Sequence, residues 1–217
     1  MNDLPHDAIR MFVHTGFTTQ ERAVAEWHRA EPTFAVPRQQ GDHAGAFDDL
    51  LLRQHWCNFQ LWHVEDRARR RDAEPGVIVE CKSAIDILNQ ERNDLVEALD
   101  TYLVRLLVPL LPEPAAGRPR YHSETLGMIL DRGSILALKI FHMREQAVRS
   151  GVPEEHRTVC ERKLAVLCEQ CADLLQSAED LVGEYISGAK RPKVYYQFKM
   201  YNDPTLNPEL YGDRPEP

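Results

Sequence analysis

Four long segments without internal proline constrain the fold of this chain more than any other feature of its sequence. Proline lacks a backbone donor and interrupts helices, so its spacing marks where helices can run. The segments are rich in Leu, Ala, Glu, Arg and Gln, and none alternates polar and apolar residues as a strand does. They cover Ala44 to Asp72, Gly76 to Leu107, Ser123 to Ser150 and Pro153 to Ser187. The pattern predicts an all-α fold in which four long helices form an up-down bundle.

Residues near the segment ends predict where individual helices begin and end. Thr18-Thr19-Gln20-Glu21 matches a capping box and predicts an extra, short N-terminal helix that begins at Thr18. Ser123 followed by Glu124 is typical of the start of the third long helix, and Gly151 of its end. Pro153 is typical of the first turn of the fourth helix.

The C-terminal tail is unusually aromatic. Nineteen residues from Lys193 onward contain Tyr195, Tyr196, Phe198, Tyr201 and Tyr211. Because solvated tails seldom carry so much aromatic area, we expect this one to lie against the bundle or against a partner subunit. The second arrangement predicts a homo-oligomer. The predicted layout is an N-terminal arm with the short helix at 1–43, a helical bundle at 44–190 and a wrapping tail at 191–217.

Composition argues against several classes of partner. The chain has 26 Lys and Arg against 34 Asp and Glu, a formal net charge of −8. We therefore expect no nucleic-acid partner and no anionic membrane surface, since both require positive charge. No stretch approaches the roughly 20 apolar residues of a membrane span. Residues 1–17 lack the apolar centre of a signal peptide, which predicts a cytoplasmic protein.

Two further patterns argue against common catalytic or metal sites. The chain contains no Gly-rich phosphate loop, Rossmann fingerprint or G-x-S-x-G motif. Its five cysteines are expected to be free thiols. On one helix, His156 with Cys160 and Cys168 with Cys171 form two pairs about 12 Å apart, too far for one zinc ion. We expect these cysteines to be small core residues.

Polar residues on buried helix faces are the candidate site. On the first long helix, His55, Trp62 and Asp66 share a face, with Asn58 beside them. On the second helix, Arg92 falls near the centre of the apolar stripe, and Asn89 lies at the stripe's edge. A guanidinium in such a place needs a carboxylate or a bound anion, because an unpaired buried charge is costly.

The third helix is apolar all round yet carries four titratable groups. Asp131 and His142 share one stripe, which Glu124 extends toward the N-terminus, and Arg132 and Lys139 share another. An enclosed helix needs partners for these groups. Two interpretations stay open: an ion-pair network that only fixes helix register, or a polar cavity for a ligand or metal.

Spacing limits how a metal could bind. His55 and Asp66 are eleven residues apart, about 16 Å along the helix axis, and so are Asp131 and His142. Neither pair can hold one ion alone. In an up-down bundle the first and third helices run parallel, which could set His55 level with Asp131 and Asp66 level with His142. This predicts one or two His–carboxylate pairs, the candidate ligands for a divalent metal cofactor.

Four separated stretches resemble, in order, a bacterial family catalogued as a domain of unknown function, DUF4254. They are HWCNFQLWHVEDRAR from His55, AIDILNQERNDLVE from Ala84, SETLGMILDRGSILALKIFHM from Ser123 and KVYYQFKMYNDPTLNPELY from Lys193. The resemblance covers about residues 47–211. It implies that the family motifs include His55, Asn58, Trp62, Glu65, Asp66, Asn89, Arg92, Asn93, Glu124, Asp131, Arg132, Lys139, His142 and Tyr201-Asn202-Asp203-Pro204.

Two positions depart from the family pattern. Cys57 stands where Ala is usual, and Gly133 stands where Leu is usual. Glycine within a helix costs about 1 kcal/mol relative to Ala. We expect Gly133 to leave room for a ligand or a neighbouring backbone, or to loosen its helix. Members encoded near glycosyltransferase genes imply a role in glycan or secondary-metabolite biosynthesis.

Together these observations predict an enzyme or ligand-binding protein with a polar site between helices. Arg92, Lys139 and Arg132 would neutralise a carboxylate or phosphate of a small anionic molecule. His55 or His142 would act as general acid or base, with Asp131 or Asp66 orienting the imidazole. Further binding residues would be Asn58, Trp62, Asn89 and Glu124. The alternative is a non-catalytic scaffold or partner protein whose polar interior only fixes helix register.

Overall fold

The computed structural model describes residues 4–34, 43–113, 119–200 and 203–211, and within these ranges the chain is all-helical. The helices are α1 (Leu4–Trp27), α2 (His43–Ala68), α3 (Pro75–Leu107), α4 (Leu126–Ala147), α5 (Glu154–Ile186) and α6 (Pro208–Tyr211). A short 3₁₀ turn, Val108–Leu110, follows α3 directly. The four predicted long segments correspond to α2 to α5, which confirms the all-α class.

The N-terminal helix is longer than predicted. α1 begins at Leu4 and has 24 residues, so the predicted start at Thr18 is wrong. The Thr18 hydroxyl donates to the carbonyls of His14 (3.2 Å) and Thr15 (3.0 Å) instead of capping a helix. The helix extends because its earlier residues, among them Val13 and Phe17, are buried in the core.

The start of α4 also differs from the prediction. Thr125, rather than Ser123, caps the helix by accepting a hydrogen bond from the Met128 amide (3.1 Å). Asp100 of α3 is buried, accepts a hydrogen bond from the Thr125 hydroxyl, and accepts another from the Gly127 amide at 2.7 Å. A carboxylate at a helix N-terminus is electrostatically favourable, so this anchor holds α4 against α3.

The turn from α4 to α5 is close to the prediction. α4 ends at Ala147, so Gly151 does not end the helix; it lies in the following turn with a φ of 74° that favours glycine. Pro153 is the N-cap residue of α5 rather than part of its first turn, which contains Glu154 and Glu155.

Helix packing forms one main core and one smaller aromatic cluster. α2 packs along α3, α4 packs along α5, and α1 packs mainly against α4. The main core includes Phe17, Leu51, Leu99, Leu130 and Leu181. The second cluster surrounds Trp27 and includes Val24, Phe59, Ala137 and Leu138. The up-down order of the four long helices and the three-part division of the chain stay predictions.

The C-terminal tail contacts the helices but leaves much of its aromatic area uncovered. The Gln197 amide donates to Glu97 of α3 (2.6 Å), and the Arg191 amide donates to the Arg120 carbonyl (2.9 Å). Tyr196 and Phe198 are nevertheless 61% and 83% exposed. These two rings are therefore not buried against the helices of their own chain, and burial against a partner subunit stays a prediction. Tyr201 and Asn202 lie outside the described residues.

All five cysteines are free thiols, as predicted. Cys57, Cys81 and Cys160 are buried, Cys171 is half-buried, and Cys168 is exposed. The prediction of a core position is thus wrong for Cys168, which lies on the outer face of α5. None of the described helices has the length and apolar character that a membrane span requires.

Candidate functional site

Three adjoining cavities lie along α4 and define the candidate site. The α4–α5 groove, bounded by α2, α4 and α5, has a volume of about 920 Å³. The α3 cavity, bounded by α2, α3 and α4, has a volume of about 410 Å³ and shares Trp62 and Asp66 with the groove. The Arg132 cavity, between α4 and α5, has a volume of about 670 Å³ and shares Lys139 with the groove. Volumes of this size suit small-molecule ligands.

The structure brings most of the predicted site residues to these cavities. The groove is lined by Trp62, Asp66, Lys139 and His142. Asn58, Asn89 and Arg92 line the α3 cavity, and Glu124 and Arg132 line the Arg132 cavity. His55 and Asp131 line none of the three. They lie behind the cavity walls in a buried polar network.

His55 is the centre of that network and is fully buried. Its Nε2 lies 3.0 Å from the Gln20 carbonyl, which can only accept, so Nε2 carries the hydrogen. Its Nδ1 lies 2.6 Å from the Ser134 hydroxyl and accepts from it. Burial lowers the pKa of His55 to about 3, against a weaker opposing effect of the Gln20 carbonyl. The imidazole is therefore neutral, with both nitrogens occupied.

Asp131 joins the same network through amide side chains. Its Oδ1 accepts from Gln54 Nε2 (2.5 Å) and from Asn58 Nδ2 (2.9 Å), and Arg92 Nε lies 3.8 Å away. Asn58 Nδ2 also donates to the Ser134 hydroxyl (2.8 Å). Burial raises the pKa of Asp131, and Arg92 and then Asn58 oppose the rise. Thus Asn58 and Ser134 connect Asp131 to His55, and the two groups do not bond directly.

Sequence reasoning missed three neutral members of this network: Gln20, Gln54 and Ser134. All three are fully buried. A signal was present for Gln20, which follows Phe17 by three residues and precedes Val24 by four on the apolar face of α1. A buried amide needs hydrogen-bond partners, and the Gln20 amide donates to the Leu130 carbonyl (3.0 Å).

The second predicted pair, Asp66 and His142, reaches the groove from two helices. Both side chains line it. The hydrogen-bond partner of His142, however, is on its own helix: Nδ1 lies 2.9 Å from Glu145 Oε2. The Trp62 ring stacks on the imidazole, with centroids 4.7 Å apart and planes 11° from parallel.

Two more histidines, not predicted as site residues, lie beside His142. One side-chain nitrogen each from His28, His63 and His142 can be chosen such that all three lie within 4.8 Å of one another. Burial lowers the pKa of His63, and the neighbouring His28 and His142 lower it further. The three residues come from different parts of the chain, so no spacing in the sequence relates them.

The positive charges near the cavities differ in how they are paired. Arg132 is bound by both carboxylate oxygens of Glu124, at 3.0 and 2.8 Å. Lys139, Arg162 and Lys163, which line the groove, form no ion pair within the described part of the chain. Asp66 is the groove's carboxylate. The groove therefore carries an excess of positive charge in a protein whose net charge is negative.

The residues that line these cavities belong to a stretch of the chain that matches a known protein family. The model for "Protein of unknown function (DUF4254)" matches residues 48–194. The chain belongs to this family. The predicted resemblance is thus confirmed, and the DUF4254 match contains most of α2 and all of α3 to α5, with the residues predicted to form the site. α1, which supplies Gln20, precedes the match. No curated protein and no solved structure gives a match.

The two departures from the DUF4254 pattern are both buried. Cys57 is 1% exposed. A Cβ added at Gly133 would lie 2.9 Å and 3.0 Å from ring atoms of Phe17 and 3.2 Å from Gln20 Oε1. Gly133 therefore accommodates two side chains of α1. The expectation that it leaves room for a ligand or a backbone is wrong at this position.

Proposed function

We propose that this DUF4254 protein binds a small anionic molecule in the α4–α5 groove. The observation that carries the proposal is the set of three groove cations, Lys139, Arg162 and Lys163, without carboxylate partners among the described residues. A carboxylate or phosphate placed between them would supply the missing negative charge. Phosphate and carboxylate groups are the anions that such side chains bind most readily.

The rest of the groove favours a ligand with an apolar or flat part. Its walls include the Trp62 ring and the aliphatic side chains of Val159, Val166 and Leu167. Ligand pockets commonly combine mainly apolar walls with a few polar groups that fix orientation. The proposed ligand is therefore amphipathic: an acidic group near the cations and a ring or chain against Trp62.

An acid–base reaction is the chemistry that this arrangement supports best. His142 lines the groove, and its Nδ1–H donates to Glu145, which leaves Nε2 unprotonated in the neutral ring. This nitrogen is buried, so it can accept a proton from a bound substrate once the imidazole turns toward the groove. In the proposal, His55 and Asp131 keep α2 and α4 in register from behind the wall, and Arg92, Asn58 and Asn89 offer a second polar surface in the α3 cavity.

Calorimetric titration of untagged, metal-free protein would test the proposal. The probes are inorganic phosphate, citrate and a sugar phosphate, each compared with a neutral analogue such as the unphosphorylated sugar. We expect the anions to bind and the neutral analogues to bind more weakly. Lys139→Gln should weaken binding about fivefold, near 1 kcal/mol, as expected for an exposed charge contact. Lys163→Gln should act in the same direction.

Lys82→Gln is the matched control, because Lys82 is an exposed lysine of α3 that pairs with Asp86 outside the groove. It removes the same charge and should leave anion affinity unchanged. Equal weakening by Lys82→Gln would attribute the effect to overall charge and contradict the proposed site. Failure of every anion to bind would contradict the proposal itself.

One observation favours the alternative, a partner or scaffold protein. Large apolar side chains are exposed on the tail and on α3, including Tyr196, Phe198, Val79 and Ile87. Exposed apolar groups of this size are typical of interaction surfaces. We therefore keep a homo-oligomer as a second proposal. Light scattering at increasing protein concentration should show self-association that Phe198→Ser weakens, and a monomer at all concentrations would contradict it.

Three broader statements are proposals of the same kind. The up-down order of α2 to α5 is supported by the close packing of α2 along α3 and of α4 along α5. A cytoplasmic location is supported by the free thiols of all five cysteines. A role in glycan or secondary-metabolite biosynthesis is supported only by what the family resemblance implies.

A further inference from the structure

His28, His63 and His142 meet at the junction of three helices. His28 directly follows α1, His63 lies on α2, and His142 lies on α4. The ring centroids are 5.2 Å apart for His28 and His63, 4.9 Å for His28 and His142, and 5.8 Å for His63 and His142. One nitrogen of each ring can be chosen so that all three lie within 4.8 Å of one another.

The hydrogen bonds of two of these rings determine which nitrogen is free. His28 Nδ1 lies 2.7 Å from the Val24 carbonyl, an acceptor, so Nδ1 carries the hydrogen and Nε2 is unprotonated in the neutral ring. His142 Nδ1 likewise donates to Glu145 Oε2 at 2.9 Å. Histidines that bind metals usually donate their other ring nitrogen to a carbonyl or carboxylate, and these two rings have that arrangement.

The third observation is an unpartnered acceptor. His142 Nε2 is buried and has no hydrogen-bond partner among the described residues. Buried polar atoms are normally paired, and each exception requires an explanation. His63 also has no hydrogen-bond partner within the described ranges, so the one unprotonated nitrogen of its neutral ring is free to bind a metal.

We propose that His28, His63 and His142 together bind one divalent transition-metal ion, with Zn²⁺ as the best-suited ion. Three imidazoles without a coordinating carboxylate suit zinc, copper or nickel and disfavour magnesium and calcium, which require oxygen ligands. Three protein ligands leave a tetrahedral ion one position for water, as in catalytic zinc sites. The site adjoins the anion groove at His142, and a metal bound to Nε2 would occupy the nitrogen proposed above as a proton acceptor. The metal proposal rests on the geometry of the cluster and not on anion binding.

Metal binding requires the three imidazole rings to move slightly closer together. Zinc–nitrogen bonds of about 2.0–2.1 Å place tetrahedral ligands about 3.4 Å apart. The three nitrogens must therefore approach one another by up to about 1.4 Å. His28 is exposed and lies at the end of α1, so its side chain can supply much of this movement. Glu145 acts as a positioning residue, because it fixes the His142 tautomer.

Equilibrium dialysis and calorimetry of untagged, chelator-treated protein with Zn²⁺ alone would test the proposal. We expect one ion per chain. His28→Gln and His63→Gln should each lower the affinity at least about tenfold, and Glu145→Gln about tenfold. With Co²⁺ as the probe, visible absorption should show nitrogen-coordinated tetrahedral cobalt without a thiolate charge-transfer band. Helical circular dichroism of each variant verifies folding, and exposed His28 gives the variant least able to disturb the fold.

Two controls separate this site from other zinc ligands. His14→Gln removes an exposed histidine of α1, and His156→Gln removes the ring beside Cys160 (3.5 Å), the alternative nitrogen–sulfur pair. Both should leave the affinity unchanged. Absence of stoichiometric Zn²⁺ binding would overturn the proposal. So would binding that survives His28→Gln and His63→Gln but is lost in His156→Gln.

Discussion

The buried, neutral His55 makes the stability of this protein depend on pH in a predictable way. The pKa of His55 falls from its ordinary value of 6.5 to about 3 in the folded chain. The stability contributed by the neutral ring is fully present above pH 6.5, and it decreases as pH falls from 6.5 toward 3, because only the unfolded chain takes up the proton there. At pH 5 this linkage removes about 2 kcal/mol of stability, and near pH 3 about 4 kcal/mol.

The assay compares the wild-type protein with His55→Gln by denaturant unfolding at pH 8 and pH 5. At pH 8 the substitution should be strongly destabilising, because it disturbs the bonds to Ser134 and the Gln20 carbonyl. At pH 5 the same substitution should cost about 2 kcal/mol less, because the wild-type protein has lost that much through His55. The difference between the two costs isolates His55 from every other titrating group.

An equal cost of His55→Gln at both pH values would refute this reasoning. It would mean that His55 has similar proton affinities in the folded and unfolded chains. His14→Gln is the control, because His14 is exposed on α1 and has no buried network to lose. It should change the free energy of unfolding little, since it removes a histidine without touching the bonds of His55.

Two further predictions concern the contacts that α4 makes with α1 and α3. Gly133→Ala should destabilise the protein by about 1–3 kcal/mol in thermal unfolding, because the new Cβ meets the Phe17 ring. This cost outweighs the better helix propensity of Ala. Gly76→Ala is the control: it has open space around it and should be neutral or stabilising. Burial raises the pKa of Asp100 to about 6, so its stability contribution is larger at pH 5 than at pH 8. Asp100→Asn should therefore cost more at pH 5 in denaturant unfolding, the direction opposite to His55→Gln.

Local sequence signals predicted α2 to α5 well and α1 poorly. Prolines mark the ends of the four segments, and the residues between them favour helix. In α1, the capping-box pattern at Thr18 is a genuine local preference, but burial of Val13 and Phe17 favours a continuous helix and outweighs it. Helix propensity is a weak influence when apolar residues on both sides of a cap can reach the core.

The charged part of the candidate site could be predicted from the sequence. Charged residues on apolar faces, such as Arg92 and Lys139, do line cavities. Neutral members such as Gln54 and Ser134 carry no such signal, since amides and hydroxyls occur mostly on helix surfaces and their burial is not expected from the sequence. The meeting of His28 with His63 depends on how α1 crosses α2, which the periodicity of a single helix does not determine.

The stacked rings of Trp62 and His142 have a thermodynamic consequence for the two proposed sites. Trp62 forms a wall of the groove, and the imidazole that it covers belongs to the three-histidine cluster. An occupant that shifts this ring pair in one site changes the binding free energy in the other. Reciprocity then requires that the metal alter anion affinity by the same factor by which the anion alters metal affinity.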